Sequence, residues 1–255
     1  MQLDDVADAV GTRLVSHETL GSTNTEALAL ARSGDRGPLW VTAARQTAGR
    51  GRRGNVWMSE PGNLYASLLL TNAAPAQHLP ELCFVVALAV RDAVASLAPS
   101  LAAKLKLKWP NDLLLDGAKL AGILIEAETI GGDTATVAGC GVNCAHHPWD
   151  TTHRATDLAR AGVAVEPAQL FAALSGAMIV RLAQWGRGAG FATIRSEWLS
   201  HAAGIGGDIV VRLANRELTG KFESLDETGR LMLRLSAGQL EPITAGEIFP
   251  APVHV

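Results

Sequence analysis

The 255-residue sequence predicts an α+β protein with a small all-β segment at its C-terminal end. Three observations carry this. Strand-like and helical stretches mix through residues 1–203 without the regular strand–helix–strand rhythm of a parallel sheet. A hairpin signature, Asp116-Gly117 between apolar runs, sits among them. Beyond Gly204 the pattern changes to short strands parted by Gly, Asn and Asp turns, the spacing of a small barrel. The division expected is therefore residues 1–203 and 204–255.

The elements follow in order. Leu14 to Glu18 reads as a short strand. "GSTNTEALALARSG" reads as a helix: Thr23 and Glu26 have capping-box spacing, Ala27, Leu28, Leu30 and Ala31 form an apolar face, and Gly34 stands where a C-cap belongs. Leu39 to Ala44 is a strand running into a basic loop, and Leu64 to Leu70 is another. Residues 79–97 carry the clearest helical period, with Leu82, Val85, Val86, Ala89, Val90, Ala93, Val94 and Leu97 at the required spacing. "KLKLKW" alternates like a half-exposed strand, "PND" turns the chain, and "LLLDGAKLAGILIEAE" is a hairpin. Thr134 to Cys144 is a strand. Helices are expected from about Pro167 to Trp185 and from about Phe191 to His201.

An apolar fraction of 48% and a charged fraction of 18% describe a globular chain that can bury a sizeable core. The net charge of −3 offers no global field for nucleic acid, so anion binding has to be local. The stretch from Arg45 to Arg53, with four arginines and no acid, is the local exception. The acidic start "MQLDDVADAV" lacks the basic region and apolar run of a signal peptide. No apolar stretch approaches the ~18 residues a membrane span needs. Three cysteines, Cys83, Cys140 and Cys144, fit reduced thiols in a cytoplasm better than a disulfide framework.

"TAGRGRRGNVW", residues 47–57, has the G-x-G-x-x-G spacing of a dinucleotide loop. That reading fails, because Pro61 and Gly62 break any helix that should follow and the next regular element is a strand. Arginines bind carboxylate and phosphate bidentately, at about 1.5–3 kcal/mol per charge-assisted bond. The glycines let the backbone fold over a ligand and leave the empty loop mobile, so closure over a bound anion is expected. A plain solvated basic loop is the alternative.

"GSTN", "QTAGRGRRG…W", "KWPND" followed after six residues by "KLAGIL", and "GCGVN", in this order, resemble the bacterial biotin–protein ligases. The resemblance runs from about Thr19 to the C-terminus. It implies a catalytic domain like that of class II aminoacyl-tRNA synthetases, followed by an SH3-like barrel. It implies that biotin and ATP form biotinyl-5′-adenylate, with Mg²⁺ accompanying the ATP and no tightly bound cofactor. Biotin then passes to one lysine of a biotin carboxyl carrier protein. By resemblance Arg50 lies along the carboxylate and α-phosphate, Arg52 faces the ligand from the same loop, and Lys119 supplies a point charge to the reacting oxygens.

Ser22, Thr23 and Gln46 match the family's biotin contacts, although capping alone would account for Ser22 and Thr23. Gly49 permits backbone approach. Gly122 interrupts an apolar strand where a ligand comes close, or where the strand bulges. Trp57 matches a tryptophan that stacks on adenine, and Asn143 an amide at its edge. Asn111 matches a nucleotide-side polar residue. Asp112 is left open between positioning the incoming lysine, binding Mg²⁺ and shaping the turn. As for departures, Asn55 stands where the family often has arginine. Twenty residues precede "GSTN", where repressor ligases carry a helix-turn-helix, so no DNA partner is expected. A homodimer is compatible with the resemblance but not specified by it. In "CGVNCAHHP", Cys140, Cys144, His146 and His147 are close together, but core packing is favoured over zinc because no second ligand pair stands at a distance. A lipoate or octanoate transferase is the rival enzyme, and a module that holds the adenylate without transferring it is the rival from another class.

Overall fold

The computed structural model describes residues 1–149 and 154–251. The last residues of the expected C-terminal unit, 252–255, lie outside them. The elements are α1 (Asp5–Ala9), β1 (Arg13–Leu20), α2 (Thr23–Arg32), β2 (Leu39–Gln46), β3 (Leu64–Thr71), α3 (Leu82–Leu97), β4 (Leu105–Lys108), β5 (Asp112–Leu115), β6 (Ala118–Ile130), β7 (Asp133–Val142), α4 (Pro167–Trp185) and α5 (Phe191–Ser200). Then come β8 (Asp208–Arg212), β9 (Glu217–Leu225), β10 (Leu231–Arg234), β11 (Leu240–Ile243) and β12 (Glu247–Pro250).

β1 to β7 form a seven-stranded sheet in the order β1-β2-β3-β7-β6-β5-β4, and β8 to β12 a five-stranded sheet in the order β11-β10-β9-β8-β12. β1 and β2 pair in parallel, joined by α2 as a crossover, and their neighbours in the large sheet run antiparallel. The sheet is covered unequally. On one face α3, α4 and α5 bury a large core with Trp40, Leu64, Ala66 and Leu68. On the other face, α2 is the one helix among the described residues that lies over the strands, and there Ala27, Leu28 and Ala31 meet Leu39, Val41, Leu69 and Val137. α2 is ten residues long, about 15 Å, and leaves part of that face uncovered. The cleft opens there.

The smaller sheet closes one side of it. Trp109 Nε1 donates to Gly229 O at 3.1 Å, and Gly229, at φ +83°, lies against Phe84 and Phe191. Arg195 Nη1 donates to Leu225 O at 3.1 Å. Apolar side chains of both sheets belong to one continuous core, with Phe222 and Leu231 fully buried beside those of α3 and α5.

Two local expectations need correction. Ser22, not Thr23, is the N-cap of α2, and its side chain makes no capping bond. Thr23 is already helical, and its N–H and hydroxyl both donate to Gln46 Oε1, so a tertiary partner has displaced the local capping box. The helix expected over 79–97 begins at Leu82, because residues 76–81 form a tighter turn containing Pro80. α1 is a short helix not foreseen in the sequence, capped where Asp4 Oδ1 accepts from Val6 N. The hairpin turn is as expected: Asp116 and Gly117 have φ of 49° and 77°, the left-handed pair of a two-residue connection.

Candidate active-site cleft

The uncovered part of the sheet floors a cavity of about 850 Å³. Gly122 of β6 and Gly141 of β7 are register partners, and Gly139 points to the same face of the sheet. Without side chains they make a flat floor. The Trp57 indole lies on it: a Cβ at Gly122 would stand 2.9 Å from the ring, and one at Gly141 would overlap its nitrogen. Close approach, not a bulge, is therefore what requires Gly122. Among the described residues the buried indole N–H has no acceptor, which costs about 1–3 kcal/mol.

One wall is the hairpin of β5 and β6. Asp112 pairs in register with Gly122, and Lys119 stands beyond an irregularity in the ladder. The Lys119 ammonium is 2.6 Å from Asp112 Oδ1, with side chains 26% and 13% exposed, and 5.4 Å from the centroid of the Trp57 ring. The Asp112 contact is one of charge, since Oδ1 has no donor in hydrogen-bonding geometry. The Lys119 backbone is pinned on both sides, its N–H donating to Arg154 O and its carbonyl accepting from Thr156 N. Asn111 Nδ2 donates to Ile123 O at 2.8 Å, while Asn111 Oδ1 accepts from Arg52 Nη1 at 3.3 Å across the cleft. Asn143, 3% exposed, donates from Nδ2 to Thr156 O and faces the cavity from the end of β7.

The opposite wall is the start of α2 with the base of the basic loop. Ser67 Oγ lies 2.7 Å from Thr23 Oγ1, and Gln46 Nε2 donates to Ser59 Oγ, which donates in turn to Trp57 O at 2.9 Å. Thr23 and Gln46 are thus largely satisfied by each other, whereas the Ser22 hydroxyl, 6% exposed, makes no capping bond. The loop itself is a flap. Trp57 N donates to Gly49 O and Gly51 N to Asn55 O, and Arg53 adopts φ 56° between them.

Eleven of the twelve side chains or glycines expected at the site line the cavity: Ser22, Thr23, Gln46, Arg50, Arg52, Trp57, Asn111, Asp112, Lys119, Gly122 and Asn143. Gly49 does not. It lies behind the flap, where a Cβ would overlap Trp57 O, so its close approach is to its own chain. Among the lining residues not anticipated are Asn24, Lys108 and Arg212. Burial pushes the Lys108 ammonium below the usual lysine range. The alternation of "KLKLKW" placed it on a half-exposed strand, and nothing local told which lysine faces the cleft. Arg212 enters from β8 and had no signal in the sequence.

Cys140 and Cys144 pack into the main core. Both are buried, and burial raises both thiols to about 12. His146 Nε2 faces Pro61 O, and His147 Nδ1 lies 2.6 Å from Asp157 Oδ2. Among the described residues no three His, Cys, Asp or Glu side chains are placed to hold a metal ion.

Residues 17–143 match the biotin/lipoate A/B protein ligase family, and residues 204–249 match the biotin protein ligase C terminal domain. Over 235 residues the chain is 42% identical to the biotin–[acetyl-CoA-carboxylase] ligase of Paracoccus denitrificans, covering 89% of this chain and 96% of that one. The chain belongs to the biotin–protein ligase family. Within this family it is 32% identical to the bifunctional ligase/repressor BirA of Bacillus subtilis, over 91% of this chain and 72% of that protein. The biotin protein ligase of Aquifex aeolicus in complex with biotin and ATP has a similar structure, with a TM-score of 0.78 and 25% identity, covering 93% of this chain and 97% of that one. No helix of the described residues is long and apolar enough to cross a membrane.

Proposed function

We propose that this biotin–protein ligase carries out both half-reactions in the one cleft, with the charges divided between its two walls. In the first, a biotin carboxylate oxygen bonds to the α-phosphorus of ATP as the bond to pyrophosphate breaks. In the second, a lysine amine of a carboxyl carrier domain attacks the acyl carbon, AMP leaves, and the amine gives up a proton. The substrates are most negative at the first step, which is where fixed positive charge stabilises most.

Lys119 supplies that fixed charge. Arg52 meets the phosphate side from the flap, and Arg50 the carboxylate and α-phosphate. Ser22, Thr23 and Gln46 hold the ureido end of biotin, and the glycine floor carries its apolar body. A ligand lying on that floor displaces the Trp57 indole, whose unpaired N–H then faces it, with the ring over the adenine. Asn111 and Asn143 serve the nucleotide. Asp112 keeps Lys119 aimed into the cleft and stands near the incoming amine. Mg²⁺ keeps most of its waters and binds substrate phosphates. It fits this cleft as an ion carried in on ATP, with Asp112 as a protein carboxylate within reach. The division at residues 203 and 204, a cytoplasmic location and a carrier lysine as acceptor belong to the same reading.

The observation that carries it is the Lys119–Asp112 pair at 2.6 Å facing the arginine flap across a floor with no side chains. The test is incubation with ATP, Mg²⁺, a carrier domain and either biotin or lipoate. Biotin on the carrier lysine is the expected product. Lipoyl transfer alone, or tight biotin binding with no transfer, overturns the reading.

A further inference from the structure

Arg50 lines the cleft, and its guanidinium also reaches two side chains outside the cavity lining. Nη2 lies 3.2 Å from both carboxylate oxygens of Glu126 and 3.2 Å from Thr25 Oγ1. Neither acceptor lines the cavity. Glu126 is placed in turn by a buried polar chain. Asn24 Nδ2 donates to Glu126 Oε2 at 2.8 Å, and Asn24 Oδ1 accepts from Ser67 Oγ at 2.6 Å. Asn24 is 4% exposed and Ser67 fully buried. Asn24 comes this close to β7 because position 139 is glycine, where a Cβ would overlap the amide oxygen. The neighbouring acid on the same face of β6, Glu128, is taken by Arg32 at 2.5 Å. Glu126 is therefore a carboxylate held by the first turn of α2 and by β3, and presented to the flap.

We propose that Glu126 is a positioning residue: it holds the Arg50 guanidinium on the scaffold while the cleft is empty and yields it to the ligand's carboxylate or acyl phosphate. The inference rests on the role proposed for Arg50. A guanidinium fork binds one carboxylate much as it binds another, so Glu126 is an internal substitute for the ligand's anion. The pair is 46% and 29% exposed, and contacts of this kind bias an equilibrium only about two- to fivefold. That is enough to fix the resting place of the flap and too little to resist an anion enclosed in the cleft.

Glu126→Gln tests this, because it keeps the shape and the bond to Asn24 while removing the charge. Biotin should bind the variant about two- to fivefold more tightly, and biotinamide, which has no carboxylate, as it binds the wild type. Trypsin should cut the ligand-free variant after Arg50, Arg52 or Arg53 about two- to fivefold faster than the wild type, with equal rates once biotinyl-adenylate saturates both. In an Arg50→Gln background, Glu126→Gln should change neither reading, and a persisting effect overturns the proposal. Equal cleavage of the two ligand-free proteins overturns the holding contact alone. Faster cleavage with no gain in biotin affinity overturns the hand-over and the ligand role of Arg50 together.

Discussion

The two walls of the cleft are built in opposite ways. The hairpin wall is part of the core: Leu113 and Leu120 are fully buried, and β6 pairs with strands on both sides near Gly122. The flap is bound mainly at its base, and Val56 and Met58 project with 82% and 59% exposure. Both carry the positive charge that an acyl-phosphate reaction needs. Charge on the hairpin is fixed before substrate arrives, which avoids reorganisation during the reaction. On the proposed reading, charge on the flap is delivered after substrate enters and then encloses it. The difference follows from what lies beneath each segment. Apolar side chains worth about 1.5–3 kcal/mol each anchor the hairpin. Glycines and exposed side chains leave the flap with little to bury.

Substitutions can break or sharpen this contrast. The largest effect is expected from Lys119→Ala, which should slow adenylate formation by about 10²–10³-fold while biotin binding changes much less. Pyrophosphate release in single turnover measures the first quantity and equilibrium binding the second. Normal turnover would remove Lys119 from the chemistry.

Next in size is Arg50→Ala, expected to shorten adenylate retention by at least about tenfold, as judged by the rate at which labelled adenylate leaves the protein. Unchanged retention would make the flap a bystander.

Stability should separate the walls just as clearly. Leu113→Ala should cost about 2–5 kcal/mol in a denaturant titration, against about 0.5 kcal/mol or less for Val56→Ala. A flap substitution as costly as the hairpin one would mean that the two walls are built alike. The smallest change is chemical: Cys140 and Cys144, with thiols raised to about 12 by burial, should resist alkylation at neutral pH until the protein unfolds. Labelling of the native protein at either position would contradict their place in the core.

The periodic segments were legible because their signals are local. The bounds of α4 coincide with those expected, and the Asp116-Gly117 turn needs no more than two left-handed residues. The site was legible as a set of motifs, and eleven of the twelve expected residues meet around one cavity. What the motifs did not carry was the partner of each side chain. The spacing of Thr23 and Glu26 predicts a local cap, yet the partner of Thr23 is Gln46, brought alongside by the crossover of α2 onto β2. Gly49 and Gly122 read alike, but one faces the flap's own carbonyl and the other an indole.

Sequence alone determined the periodic elements after α1 and the motif residues that meet at the cleft, because helical period, turn chemistry and motif spacing act over a few residues. Tertiary structure decided that Lys108 and Arg212 reach the cleft, that Trp57 rests on the glycine floor and that Arg50 is held by Glu126. Those choices depend on strand register and on which half of a sheet a ten-residue helix covers. Both are set by the packing of segments far apart in the chain.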